Sequence, residues 1–109
     1  MGLFRRISRG GGLGGRRGAR GEAAAAADHL AEFARSRRGV EAYLEPTTTV
    51  SGTTVVLVAD TGEWTRRRIA DAAAGASLAR KLGIPLYEAG IVGYPQRMRE
   101  WTQKNRSGK

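Results

Sequence analysis

Thr53-Thr54-Val55-Val56-Leu57-Val58-Ala59, then Asp60-Thr61-Gly62, then Glu63-Trp64-Thr65-Arg66-Arg67-Arg68-Ile69: this stretch decides the fold. Its first seven residues are nearly all β-branched or apolar, the pattern of a central strand covered on both faces. Asp60 to Gly62 form a short turn that returns the chain as a hairpin. The second arm alternates, with Trp64, Arg66 and Arg68 on one face and Thr65, Arg67 and Ile69 on the other. Upstream, Val40 to Glu45 also alternates, placing Val40, Ala42 and Leu44 on one side and Glu41, Tyr43 and Glu45 on the other, until Pro46 ends the run. The three strands make a meander whose third strand is parallel to its first.

Helices flank this meander. Glu22 to Arg38 is alanine-rich, with Ala26, Leu30, Phe33, Ala34 and Arg37 on one stripe, acids toward its amino end, bases toward its carboxyl end and Gly39 as a stop. Asp71 is placed to cap a second helix over Ala72 to Leu82, which Gly83 and Pro85 terminate. Ile84 to Val92 reads as a fourth strand, and Gly93-Tyr94-Pro95 turns the chain into a short closing helix carrying Met98 and Trp101. A right-handed crossover puts strand four beside strand one or strand three. The first choice gives the order 3-2-1-4. The expected fold is therefore α+β: a single small domain, α-β-β-β-α-β-α, with a mixed four-stranded sheet and helices mainly on one face.

The 109 residues suffice for one such domain, expected over residues 22–103. Of the apolar residues 17 are alanine, so the core is thin and its stability is expected near ~5 kcal/mol, which a partner or self-association would complete. No apolar run approaches the ~18 residues of a membrane span, and the head lacks the apolar core of a secretory leader, so a cytoplasmic protein without a membrane span is expected. With no cysteine and a single histidine, His29, disulfides, thiol catalysis and cysteine-ligated zinc are excluded and no metal or cofactor is expected. His29 lies one position from the apolar stripe of its helix and reads as structural or solvated.

The charge is uneven. Lys and Arg number 19 against 10 Asp and Glu, yet the middle of the chain balances. The excess belongs to the ends: Arg5, Arg6, Arg9, Arg16, Arg17 and Arg20 in a glycine-rich head over residues 1–21, and Lys104, Arg106 and Lys109 in a tail over residues 104–109. The head reads as disordered, since its composition buries too little surface to offset its ordering entropy. Arginine-glycine segments track phosphates by releasing counterions and stacking on bases; the alternative is a solubilising tail whose arginines reflect GC-rich coding. Gly10, Gly12 and Gly15 match the spacing of a dinucleotide-binding loop, but no strand precedes them.

Three constellations stand out. Trp64, Arg66 and Arg68 suit nucleic acid, the ring stacking while guanidiniums grip phosphate; the structural reading is salt bridging to Glu41 and Glu45, a reach of about two 4.8 Å strand spacings. Tyr94, Arg97, Met98 and Trp101, with Gln96 and Arg99 nearby, present an edge for a protein partner or a second copy, or else cap the core. The strand order β-β-β-α-β is shared with ribonuclease H-like proteins, in which neighbouring carboxylates hold two Mg2+ ions, and Glu41 or Glu45 with Glu88 imitates that pairing. The α-β-β-β-α stretch is similar to a double-stranded RNA-binding domain, but its second helix lacks a basic start.

Gly62-Glu63-Trp64-Thr65-Arg66-Arg67-Arg68-Ile69 and Ile91-Val92-Gly93-Tyr94-Pro95-Gln96-Arg97-Met98 resemble a group of short actinobacterial proteins of unassigned function, some of which carry an oxidoreductase label. The resemblance spans about Arg37 to Trp101 and implies no role for any residue. No flavin or nicotinamide fingerprint accompanies it in this chain. The expected function is non-enzymatic association with RNA, ribosome or DNA through phosphate contacts. A protein-interaction module or homo-oligomer is the alternative, and a metal-dependent nuclease-like enzyme the third.

Overall fold

The computed structural model describes residues 14–50 and 52–107, with the side chains of residues 21–50 and 52–106. Its elements are α1 (Gly14–Ser36), β1 (Glu41–Leu44), β2 (Thr53–Val58), β3 (Trp64–Ile69), α2 (Ala72–Leu82), β4 (Leu86–Glu88), α3 (Ala89–Val92) and α4 (Gln96–Ser107). The sheet has the order β3-β2-β1-β4. The meander is antiparallel, and β4 lies parallel to β1 with Ala42 opposite Leu86 and Leu44 opposite Glu88. This is the expected α+β fold with its mixed four-stranded sheet. No helix among the described residues is long and apolar enough to cross a membrane.

The alternation in each strand sorts two cores. On one face, Leu30 and Phe33 of α1 pack with Val40, Ala42, Val55, Leu57 and Ala59, and Leu78 of α2 closes the layer. On the other, Tyr43, Val56 and Val58 pack with Ala89 and Met98, flanked by Trp64 and Tyr94. The two helices that precede β4 therefore cover the first face, and α4 covers part of the second. β2 is enclosed between them: Val55, Val56, Leu57 and Val58 are all buried, as a continuous apolar strand requires.

Local chemistry accounts for the boundaries. The Asp71 carboxylate accepts the Ala74 amide at 2.8 Å, capping α2, and Gly83 ends it in the left-handed region at φ 69°. Gly62 has φ +97°, and a Cβ there would lie 2.1 Å from the Arg97 carbonyl oxygen. Only glycine allows the β2–β3 turn to press against the start of α4.

Two elements differ from the sequence expectation. The fourth strand stops at Glu88, and Ala89 to Val92 forms a helical turn instead of strand. β4 pairs with β1 alone, and β1 ends one residue before Glu45 and two before Pro46. Beyond Glu88 no strand remains to accept its backbone, so a turn satisfies those groups internally. The first helix begins at Gly14 instead of Glu22, because a helix already anchored by Ala26, Leu30 and Phe33 adds each further residue for one bond and one pair of dihedrals. At the other end, α4 runs through Ser107, so Lys104 and Arg106 stand on a helix.

Candidate nucleic-acid interface

The register places Trp64, Arg66 and Arg68 on the α4 side of the sheet, opposite Val58, Val56 and Thr54. Glu41 and Tyr43 share that side. Arg66 reaches across β2 to Glu45 and grips it with two parallel bonds, Nε to Oε1 at 2.9 Å and Nη2 to Oε2 at 2.8 Å. Its guanidinium carbon lies 5.4 Å from the Trp64 ring centroid. Thr54 and Tyr94 also donate their hydroxyls to Glu45. Burial pushes the Glu45 carboxyl up, but the bonds from Arg66, Thr54 and Tyr94 outweigh it and hold it down at about 2. Trp64 donates its indole N–H to Thr102 at 2.7 Å. Arg66 and Trp64 are thus engaged within the chain. Arg68 is exposed and has no carboxylate within salt-bridge distance among the described residues; its guanidinium lies against Gly52.

The second constellation also turns inward. Arg97 donates from Nη2 to Glu41 at 2.9 Å and from Nε to the Ala59 carbonyl at 2.8 Å. Tyr43 donates its hydroxyl to the same Glu41 oxygen at 2.8 Å. The bond from Arg97 holds the Glu41 carboxyl below its usual range, while burial pushes the Tyr43 phenol up to about 12. Met98 is buried in the second core, and Trp101 is half-buried against Gly62. Tyr94, Arg97, Met98 and Trp101 therefore fasten α4 to the sheet.

The proposed carboxylate pairing does not assemble. Glu41 lies on the α4 side, whereas Glu88, opposite Leu44, lies on the α1 side. The register puts the strand residues of opposite parity on opposite faces. Among the described residues no three His, Asp or Glu side chains come together as a metal-holding group.

A third feature lies where the sequence reading placed none. Between α1 and the edge strand β3 runs an open groove of about 660 Å3, with Ala23, Ala26 and His29 on one wall and Arg67 and Ile69 on the other; Arg68 borders it from the strand edge, its guanidinium lying against Gly52 on the opposite face. Glu22 stands at its rim. His29 Nε2 and Thr65 Oγ1 share a hydrogen bond of 2.7 Å, and burial, then Arg67 and Arg37, hold the imidazole pKa below its usual value. Arg67 donates to the Arg66 carbonyl at 2.7 Å and to Thr65 Oγ1 at 3.4 Å, and among the described residues to no carboxylate. Four glutamates of the body are already taken: Glu32 by Arg35, Glu63 by Arg37, Glu45 by Arg66 and Glu41 by Arg97.

The same α1 continues upstream of this groove through Arg20, Arg17 and Arg16, which occupy its first two turns. Their side chains, and the whole of Arg5, Arg6 and Arg9, lie outside the described residues. The parity of β3 already separated Arg67 from its neighbours; what no sequence signal indicated was that α1 would lie along this strand and bring His29 to it. Comparison of the chain with protein-family models, with curated proteins and with solved structures gives no match.

Proposed function

We propose that this is a non-enzymatic nucleic-acid-binding protein that holds a phosphate backbone along the α1–β3 side of the sheet. One observation carries the reading: α1 is continuous from Gly14 to Ser36, so the Arg16, Arg17 and Arg20 positions stand on the element that walls the groove holding Arg67, with Arg68 on the outer face of the same edge strand. Neither strand arginine has a salt bridge among the described residues. Both are free to trade counterions for phosphate oxygens. His29 stays neutral near pH 7, so it offers the groove a hydrogen-bonding edge and no charge. Glu22 follows Arg20 on α1 and lines the groove, so it interrupts the cationic track between the helix arginines and Arg67.

Backbone contacts of this type carry no base information, so the expected binding is weak in sequence preference and steep in salt. Five arginine–phosphate contacts on duplex DNA correspond to a loss of roughly 500-fold in affinity between about 50 and 200 mM salt. Fluorescence anisotropy with labelled single-stranded RNA and duplex DNA tests the reading. The variants Arg67→Ala/Arg68→Ala and Arg16→Ala/Arg17→Ala/Arg20→Ala should each weaken binding to both probes. Unchanged affinity in both variants, or affinity insensitive to salt, overturns it. Trp64→Phe and Arg66→Lys should leave affinity nearly intact, because those side chains are committed to Thr102 and Glu45.

A further inference from the structure

The opposite face of the molecule holds a second recess, independent of the arginine track. Tyr43, Tyr87 and Tyr94 line an open recess of about 230 Å3, together with Val92, Pro95 and Glu41. Tyr43 is its buried floor. The Tyr43 ring centroid lies 5.4 Å from that of Tyr87, with planes inclined 32°, and 6.0 Å from that of Tyr94, inclined 53°. Tyr43 thus packs between the other two rings, none of the pairs is coplanar, and all three border the same recess. Tyr87 remains 38% exposed on β4, the open edge of the sheet.

The electronics of this recess favour a cation of low hydration. Aromatic faces are negative, and they attract ammonium groups most strongly when the contact is desolvated. Tyr43 and Tyr94 donate their hydroxyls to Glu41 and Glu45, which pushes electron density back into both rings. Each glutamate is matched by an arginine, Arg97 or Arg66, and among the described residues Glu41 is the one charged residue that borders the recess. A bare ammonium would keep its water; methyl groups replace that water with apolar contact to Val92, Pro95 and the rings. The volume falls below the ~300–1,000 Å3 of sites for drug-sized ligands, and so suits a head group.

We propose that the recess formed by Tyr43, Tyr87 and Tyr94 binds a methylated ammonium group. Such a group is carried by a free quaternary amine or by a methylated lysine side chain, and the two sources are separated by titrating the full chain with choline chloride and with Nα-acetyl-trimethyl-lysine amide. Proton NMR is the readout: the N-methyl resonance should move upfield and saturate as the rings shield it. The neutral isostere 3,3-dimethylbutan-1-ol should bind at least about fivefold more weakly, since it keeps the shape and loses the charge. Tyr87→Ala, at an exposed position, should weaken binding by about fivefold, and Tyr87→Phe should retain it. The stronger of the two cations identifies the source. The proposal is overturned by the absence of a saturable shift, by equal binding of the neutral isostere, by unchanged binding in folded Tyr87→Ala, or by adenosine monophosphate displacing choline at equal concentration, which would assign the recess to base stacking.

Discussion

Among the described residues Glu45 gathers more donors than any other carboxylate, because Arg66, Thr54 and Tyr94 all donate to it. Glu45→Gln removes the charge but keeps the shape, and should destabilise by roughly 1.5–3 kcal/mol in denaturant titration. Since the Glu45 carboxyl is held at about 2 in the folded chain, its stabilisation is complete above the usual carboxylate range and fades as pH falls from there toward 2. His29 acts in another window. Its pKa is lowered on folding, by burial first, so the unfolded chain takes up the proton earlier and stability declines as pH drops below the ordinary histidine value of ~6.5. Thermal melts at three pH values should show His29→Gln relieving the first decline and Glu45→Gln flattening the second. At Gly62, alanine meets both the positive φ and the Arg97 carbonyl, so Gly62→Ala should cost at least about 2 kcal/mol and alter the emission of Trp64 and Trp101. Asp71→Ala should cost about 1 kcal/mol by uncapping α2.

At the scale of elements, legibility followed the range of the forces. The Thr53–Ile69 hairpin and α2 were readable because alternation, Asp71 and Gly83 act locally. The end of β4 was not, because it depends on where its partner β1 stops. The α1 start was missed for the same reason: glycine-rich composition argued against a helix that tertiary anchoring extends. Parity correctly grouped Trp64, Arg66 and Arg68, yet it left their partners open, since only the assembled sheet brings Glu45 within reach of Arg66. The α1–β3 groove was invisible in sequence, as it exists only where two distant elements meet. Continuity of α1 has a direct test. Ala19→Pro breaks the helix between Arg17 and Arg20 without changing the charge. It should lower affinity for duplex DNA several-fold in anisotropy while leaving the melting temperature of the body nearly unchanged.

Across the whole molecule, residues 21–100 are balanced in charge, and among the described residues four of their glutamates are paired with four arginines. The excess of nine positive charges therefore lies at the two ends, a distribution that draws in polyanions at long range and loses them as salt screens the field. The account rests on Arg67 and Arg68 exchanging counterions for phosphates beside α1. The most direct measurement is the slope of log affinity against log salt for duplex DNA, compared between the native chain and Arg67→Ala/Arg68→Ala. The account predicts that the slope becomes shallower by about 1.8, the release expected of two phosphate contacts; two parallel lines would contradict it.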